Sequence, residues 1–159
     1  MNENNLEKII NNIVGDAIVK EVMSLKLAVK LIETVEEKAE EMGLAVVVAV
    51  SDASGRPIAV HCMDGAYHGS FDVAVNKTYT STAFQMSTAK LSRLCQPGQD
   101  LYGLQFSNNG KVMILGGGEP LMVGKTMIGA LGVSGGSAQE DSDLAAYGAS
   151  ALKEVIKCL

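Results

Sequence analysis

The residues with most chemical capacity in this 159-residue sequence are a serine set among glycines, two histidines near a methionine, and an aspartate followed by a lysine. Gly132-Val-Ser-Gly-Gly136 satisfies G-x-S-x-G between a predicted strand and a predicted helix, the setting in which a nucleophile elbow exposes its serine. Such an elbow needs its acid and its histidine later in the chain, whereas His61 and His68 both precede Ser134. The glycines are read instead as positions of positive φ and close backbone approach, where the last strand turns into the last helix. Free amides at that helix start could hold an anion, but Glu140, Asp141 and Asp143 occupy the first turn and would repel a phosphate. Gly116-Gly-Gly118 has neither the lysine spacing of a P-loop nor the strand-to-helix setting of a dinucleotide fingerprint, and reads as a bulge or turn before Pro120.

His61, Met63 and His68 fall within one short stretch. Two histidines do not make a zinc centre, which needs three or four ligands, so no metal site is expected. A haem iron needs only one or two axial side chains, and an imidazole or a thioether suffices, which makes His61, His68 and Met63 the candidate cofactor ligands. The other reading is that all three are ordinary strand-end and loop residues. Asp64 and Lys77 are the acid/base candidates, because Asp64 ends a predicted strand at a glycine-containing turn and Lys77 lies on the helix that follows. The alternative for this pair is an ion pair that fixes the corner.

The elements that must position these groups follow from hydrophobic spacing. Leu6, Ile9, Ile10, Ile13, Val14 and Ala17 form one stripe of a short helix that weakens at Gly15. A longer helix starts at the cap residue Ser24, runs Ala28, Leu31, Ile32, Val35, Ala39 and Met42 down one face and stops at Gly43. The apolar run Leu44–Ser51, the turn residues 52–55 and the run Arg56–Met63 predict a hairpin. Ser70 to Gln85 has Phe71, Ala74, Val75, Thr78 and Thr82 on a helical face, Thr88–Leu94 adds a turn or two, and Pro97-Gly98 breaks the pattern. Three extended runs follow at Lys111–Leu115, Leu121–Val123 and Thr126–Val133, and the last helix spans Ala138–Ile156. Hairpin-linked strands and flanking helices predict an α+β fold with a five-stranded antiparallel sheet.

Composition bounds what such a domain does. Hydrophobic residues make up 47% and charged residues 19%, enough for a packed core and too little charge for disorder. With 13 basic and 18 acidic residues, the chain lacks the positive field that attracts nucleic acid. Cys62, Cys95 and Cys158 are odd in number and widely spaced, which fits a reducing cytoplasm better than a disulfide framework. The polar start Asn2-Glu-Asn-Asn5 is no secretory signal, and no apolar run reaches membrane-spanning length.

Several segments, in order, resemble the signature of the GlcG/HbpS superfamily: Cys62-Met-Asp-Gly-Ala66, Val75-Asn-Lys-Thr-Tyr-Thr80, Gln96-Pro-Gly98, Leu101-Tyr-Gly-Leu-Gln105, Gly116-Gly-Gly-Glu-Pro-Leu121 and Ile128-Gly-Ala-Leu-Gly-Val-Ser-Gly-Gly136 with Asp141. The Q-P-G, L-Y-G-L-Q and G-G-G-x-P-L pieces are most similar to the C-terminal domain of PduO-type proteins of bacterial microcompartments. The resemblance runs from about Ser24 to the C-terminus and implies a profilin-like fold, homo-oligomers and a tetrapyrrole ligand, usually haem. Where the family often has an arginine before its Met-Asp pair this sequence has Cys62, so a cation that would meet a propionate is absent. The adenosyltransferase domain of full-length PduO has no counterpart here, so adenosyl transfer is not inferred.

The organisation expected is an amphipathic helix and linker over residues 1–22 and a GlcG/HbpS-like domain over residues 23–159. The resemblance gives the N-terminal stripe a role as a targeting segment in which residues 1–21 meet a microcompartment shell protein. The alternative is docking on the domain itself or on a neighbouring subunit. The function expected is a cytoplasmic haem- or tetrapyrrole-binding module of a microcompartment, supporting cobalamin or redox metabolism. A small-molecule enzyme using Asp64 and Lys77, or a structural assembly component, are the competing readings, and no catalytic reaction is assigned.

Overall fold

The computed structural model describes residues 22–159, so the N-terminal helix and its targeting role lie outside the described residues. Helix α1 spans Leu25–Glu41. The Ser24 hydroxyl accepts the Leu27 N–H at 3.2 Å, satisfying one of the open amides of the first turn. Leu27, Ala28, Leu31, Ile32, Val35 and Ala39 are buried along one face, and the helix ends before Gly43, whose φ of +70° suits a residue without Cβ.

Strand β1 (Val47–Asp52) and strand β2 (Pro57–Cys62) form the predicted hairpin. Asp52 holds the turn through its Oδ1, which accepts from the backbone N–H of Ser54 and of Arg56. Helix α2 (Ser70–Phe84) and short helix α3 (Thr88–Leu94) follow, then a loop containing two single 3-10 turns. Strand β3 (Gly118–Val123), strand β4 (Thr126–Ser134) and helix α4 (Ala138–Lys157) complete the chain. Helix α4 starts with a reciprocal capping box between Ser137 and Glu140.

The expected five-stranded sheet is corrected to four antiparallel strands in the order β2-β1-β4-β3. The run Lys111–Leu115 is the strand that does not form. Its backbone is engaged by helix α2 instead, with the Met113 N–H donating to Thr80 Oγ1 at 2.8 Å. Its Val112 side chain is buried with Leu91 and Cys95, away from the sheet. The apolar run that suggested a strand therefore packs against a helix. Strand β3 begins at Gly118 and not at Leu121, because Gly118, Glu119 and Pro120 already pair with Gly132, Leu131 and Ala130 of β4.

The sheet separates two layers. On one face, Val46, Val48, Val50, Leu121, Leu131 and Val133 pack against α1 and α4 in the main core. On the other, Val47 and Ala49 meet Ala74 of α2. Helix α2 lies very close to the sheet because small residues line the contact. A Cβ added at Gly132 would run into the Ala74 carbonyl oxygen, and one at Gly118 would come within 2.9 Å of the Lys77 carbonyl oxygen.

Candidate functional site

Strand β2 is an edge strand, and its alternation divides its side chains between the two layers. His61 pairs with Val48 in register, so it shares the face of Val48 and points toward α1. There its Nδ1 sits 3.2 Å from both carboxylate oxygens of Glu36. A carboxylate can only accept, so Nδ1 donates and the neutral ring carries its lone pair on Nε2. Among the described residues Nε2 has no hydrogen-bond partner, and the His61 side chain is 36% exposed.

Glu36 also lines an open depression, together with Glu40, Gly43, Leu44, Ala45, Cys62, Met63 and Asp64. Asp64 is exposed at its edge. Met63 faces inward: its side chain packs on the main core, and its sulfur accepts the Val46 N–H at 3.5 Å. His68 is exposed in the loop before α2. Ala66 already packs against the Val47–Ala49–Ala74 cluster, so the chain has crossed to the other layer before it reaches His68. The stretch that looked like one cluster thus presents His61 and Met63 toward α1 and His68 at the start of α2.

The structure does not bring Asp64 and Lys77 together. The Lys77 ammonium donates to Asp141 Oδ2 at 2.7 Å and to the Val133 carbonyl at 2.6 Å, with side-chain exposures of 1% for Lys77 and 6% for Asp141. Burial pushes the Lys77 amine below its ordinary value, and the hydrogen bond and charge of Asp141 oppose that shift. Asp141 Oδ1 accepts the Gly136 N–H at 2.9 Å. The pair joins α2, the end of β4 and the first turn of α4, and is sealed from solutes. Gly117 passes directly over it at φ +109°, and a Cβ there would lie 2.8 Å from Lys77 Nζ. Three glycines at 116–118 are what this crossing requires.

Ser134 is the last residue of β4 and pairs regularly with Val47, so it lies on a strand and not on an exposed elbow. Gly135 follows against the Ala45 carbonyl, where a Cβ would come to 2.6 Å. Sequence reasoning did not single out Glu36 or Asp141 as partners of the candidate residues. Glu36 lies among several acids of α1 and had no role assigned, and Asp141 looked like a charge complementing the α4 dipole. The exposed acidic face and the helix start both supply a sufficient local explanation, and only the tertiary fold shows the second partner.

The fold is a four-stranded sheet covered by α1 and α4 on one face and α2 on the other, with this glycine-lined crossing at its end. The chain belongs to the family described as haem degrading protein HbpS-like, whose model matches residues 23–150. It is similar to an uncharacterized 15.0 kDa protein in the dhaT-dhaS intergenic region of Citrobacter freundii, 39% identical over 123 residues that make up 77% of this chain and 87% of that protein. It is 39% identical over 109 residues to the corrinoid adenosyltransferase PduO of Salmonella typhimurium, a match covering 69% of this chain and 32% of PduO. Its fold also matches the crystal structure of a PduOC:heme complex, with a TM-score of 0.78, 35% identity, and coverage of 82% of this chain and 94% of that one. Among the described residues no helix is long and apolar enough to cross a membrane.

Proposed function

We propose that this chain is a haem-binding module and that His61 is the residue through which it holds the iron. The observation that carries the reading is the His61–Glu36 pair, which leaves Nε2 without a hydrogen-bond partner among the described residues, on a side chain 36% exposed, while Glu36 itself lines an open depression. Ligating imidazoles commonly give their other N–H to a carboxylate, which fixes the tautomer and raises basicity. The haem complex of the PduO C-terminal domain supports the same ligand for this chain. When bound, haem would supply redox or oxygen chemistry at its iron, while the protein sets ligand basicity, orientation and access.

The residues fit that group in a specific way. Leu44, Ala45 and Met63 offer apolar surface, while Glu36, Glu40 and Asp64 repel propionates, which must therefore point away from the depression. Among the described residues this depression is an open wall. A second copy covering that wall would complete the site, which supports a homo-oligomer. The matches to PduO, whose sequence this chain spans only in part, favour a place in the cytoplasm within a bacterial microcompartment, supporting its cobalamin or redox metabolism. Residues 1–21 are then the segment offered to a shell protein. The test is a haemin titration of the purified protein: a sharp Soret band saturating at a fixed stoichiometry is expected, and a flat titration overturns the reading.

A further inference from the structure

Where the first turns of α1 meet the last residues of the chain, the described residues leave an open apolar groove. We infer that this groove is the seat of the chain's own N-terminal stripe, Leu6, Ile9, Ile10, Ile13 and Val14. The groove is lined by Leu25, Val29, Cys158 and Leu159, together with the charged Lys26, Lys30 and Glu33. Leu25 and Val29 stand one turn apart on α1 and outside its buried stripe, so the main core does not use them. Leu25 is 62% exposed and Leu159 is 39% exposed. The Lys26 ammonium donates to the Leu159 carbonyl at 3.0 Å, which keeps the two walls together. The occupant follows from where the chain leads. The described residues begin at Val22, itself exposed and three positions before Leu25, so the segment ahead of it enters the domain beside the groove. Residues 18–24 separate Ala17 from Leu25, a connection long enough for the chain to double back along α1. Leu25 to Glu33 spans about 12 Å of helix, and a helical stripe from Leu6 to Val14 spans about the same. The charges are complementary as well, with Glu3 and Glu7 against Lys8 in the segment and Lys26 and Lys30 against Glu33 at the groove. A helix this short is marginal alone in water, and tethering gives the groove a high effective concentration of it, which favours the chain's own segment over a second copy. The inference stands on the groove and the stripe and is independent of haem. A shell protein would have to take the stripe out of this groove, so docking and delivery compete for one apolar face.

Cys158 reports on the groove, because its thiol is exposed and lines it, whereas exposed Cys62 lies at the other depression and Cys95 is buried. The test is alkylation of the full chain by iodoacetamide, read at each cysteine by peptide mass spectrometry. Cys158 should react several-fold more slowly in the native protein than in the double variant Ile9→Asp, Ile13→Asp, with Cys62 reacting alike in both. Continued protection of Cys95 shows that the variant is folded. Leu25→Asp, at a side chain the core does not use, should unmask Cys158 to a similar degree from the groove side. Equal rates at Cys158 in all three proteins overturn the inference. A second arm introduces Leu6→Cys, Ile10→Cys and Ile13→Cys one at a time and oxidises each variant at low protein concentration. A disulfide to Cys158 within one chain is expected in at least one of them. Bridges formed only between chains would hand the groove to a second copy, and no bridge to Cys158 in any variant would place the stripe elsewhere; either result overturns the inference while leaving the haem reading untouched.

Discussion

Lys77 and Asp141 form a charge pair in a nearly dry junction, 2.7 Å apart and each with a second partner, Val133 O for the ammonium and Gly136 N for the carboxylate. Each charge tolerates burial because the other is there, and removing one leaves an uncompensated ion. Lys77→Met and Asp141→Asn should therefore each cost about 3–5 kcal/mol in chemical denaturation, whereas a double apolar replacement should recover most of that loss. A double variant as unstable as the sum of the singles would show that the two side chains act independently. Glu119 differs, because burial alone raises its carboxyl above its ordinary value of 4.5. The folded state then holds that proton more tightly than the unfolded chain, so stability falls as pH rises through this window and the penalty is complete above the raised value. Glu119→Gln should raise the melting temperature at pH 7 and give no gain at a pH below about 4, where both states are protonated. At this scale the sequence named the right residue types and not their partners. Lys77 was legible as a residue with a role, but a partner 64 positions away is a product of topology.

Among the described residues, the helices and the first hairpin built on local spacing formed as read. Helix α1 carries its apolar stripe, its serine cap and its terminal glycine within one segment, and the hairpin has turn residues where the turn falls. Helix α2 was harder to read in detail, since its buried residues include Ser70, Lys77, Thr78, Ser81 and Thr82, while Phe71 is 45% exposed. Polar side chains are buried there because the helix lies too close to the sheet for large apolar ones. Lys111–Leu115 was misread because a short apolar run bonded to a helix side chain and a short buried strand look alike in sequence. The close approach of α2 makes a direct prediction. Gly132→Ala inserts a methyl group against the Ala74 carbonyl and Thr78, so α2 must move outward, at a cost of about 1–3 kcal/mol or more. Thermal melting would register it, and a variant as stable as the native protein would show that the contact has slack.

At the scale of the molecule, one layer of the domain supplies stability and its rim supplies the candidate site. The main core runs through α1, α4 and the sheet, and its outer edge carries Glu36 on α1 and His61 on β2. The family signature pointed to haem-associated relatives, and that much was legible from motifs taken together, whereas the end of the first hairpin was named only from the grouping of His61, Met63 and His68 and belongs to the proposal. Which imidazole is poised there was not legible, because His61 and His68 are seven residues apart in sequence and only the crossing of the chain near Ala66 assigns them to different layers. The measurement that tests the account most directly is the absorption spectrum of the haemin complex of His61→Ala beside that of the native protein, each with and without added imidazole. The account predicts that the ligand-field bands are lost in the variant and return when imidazole fills the space. Unchanged bands in His61→Ala, before any imidazole is added, would contradict it.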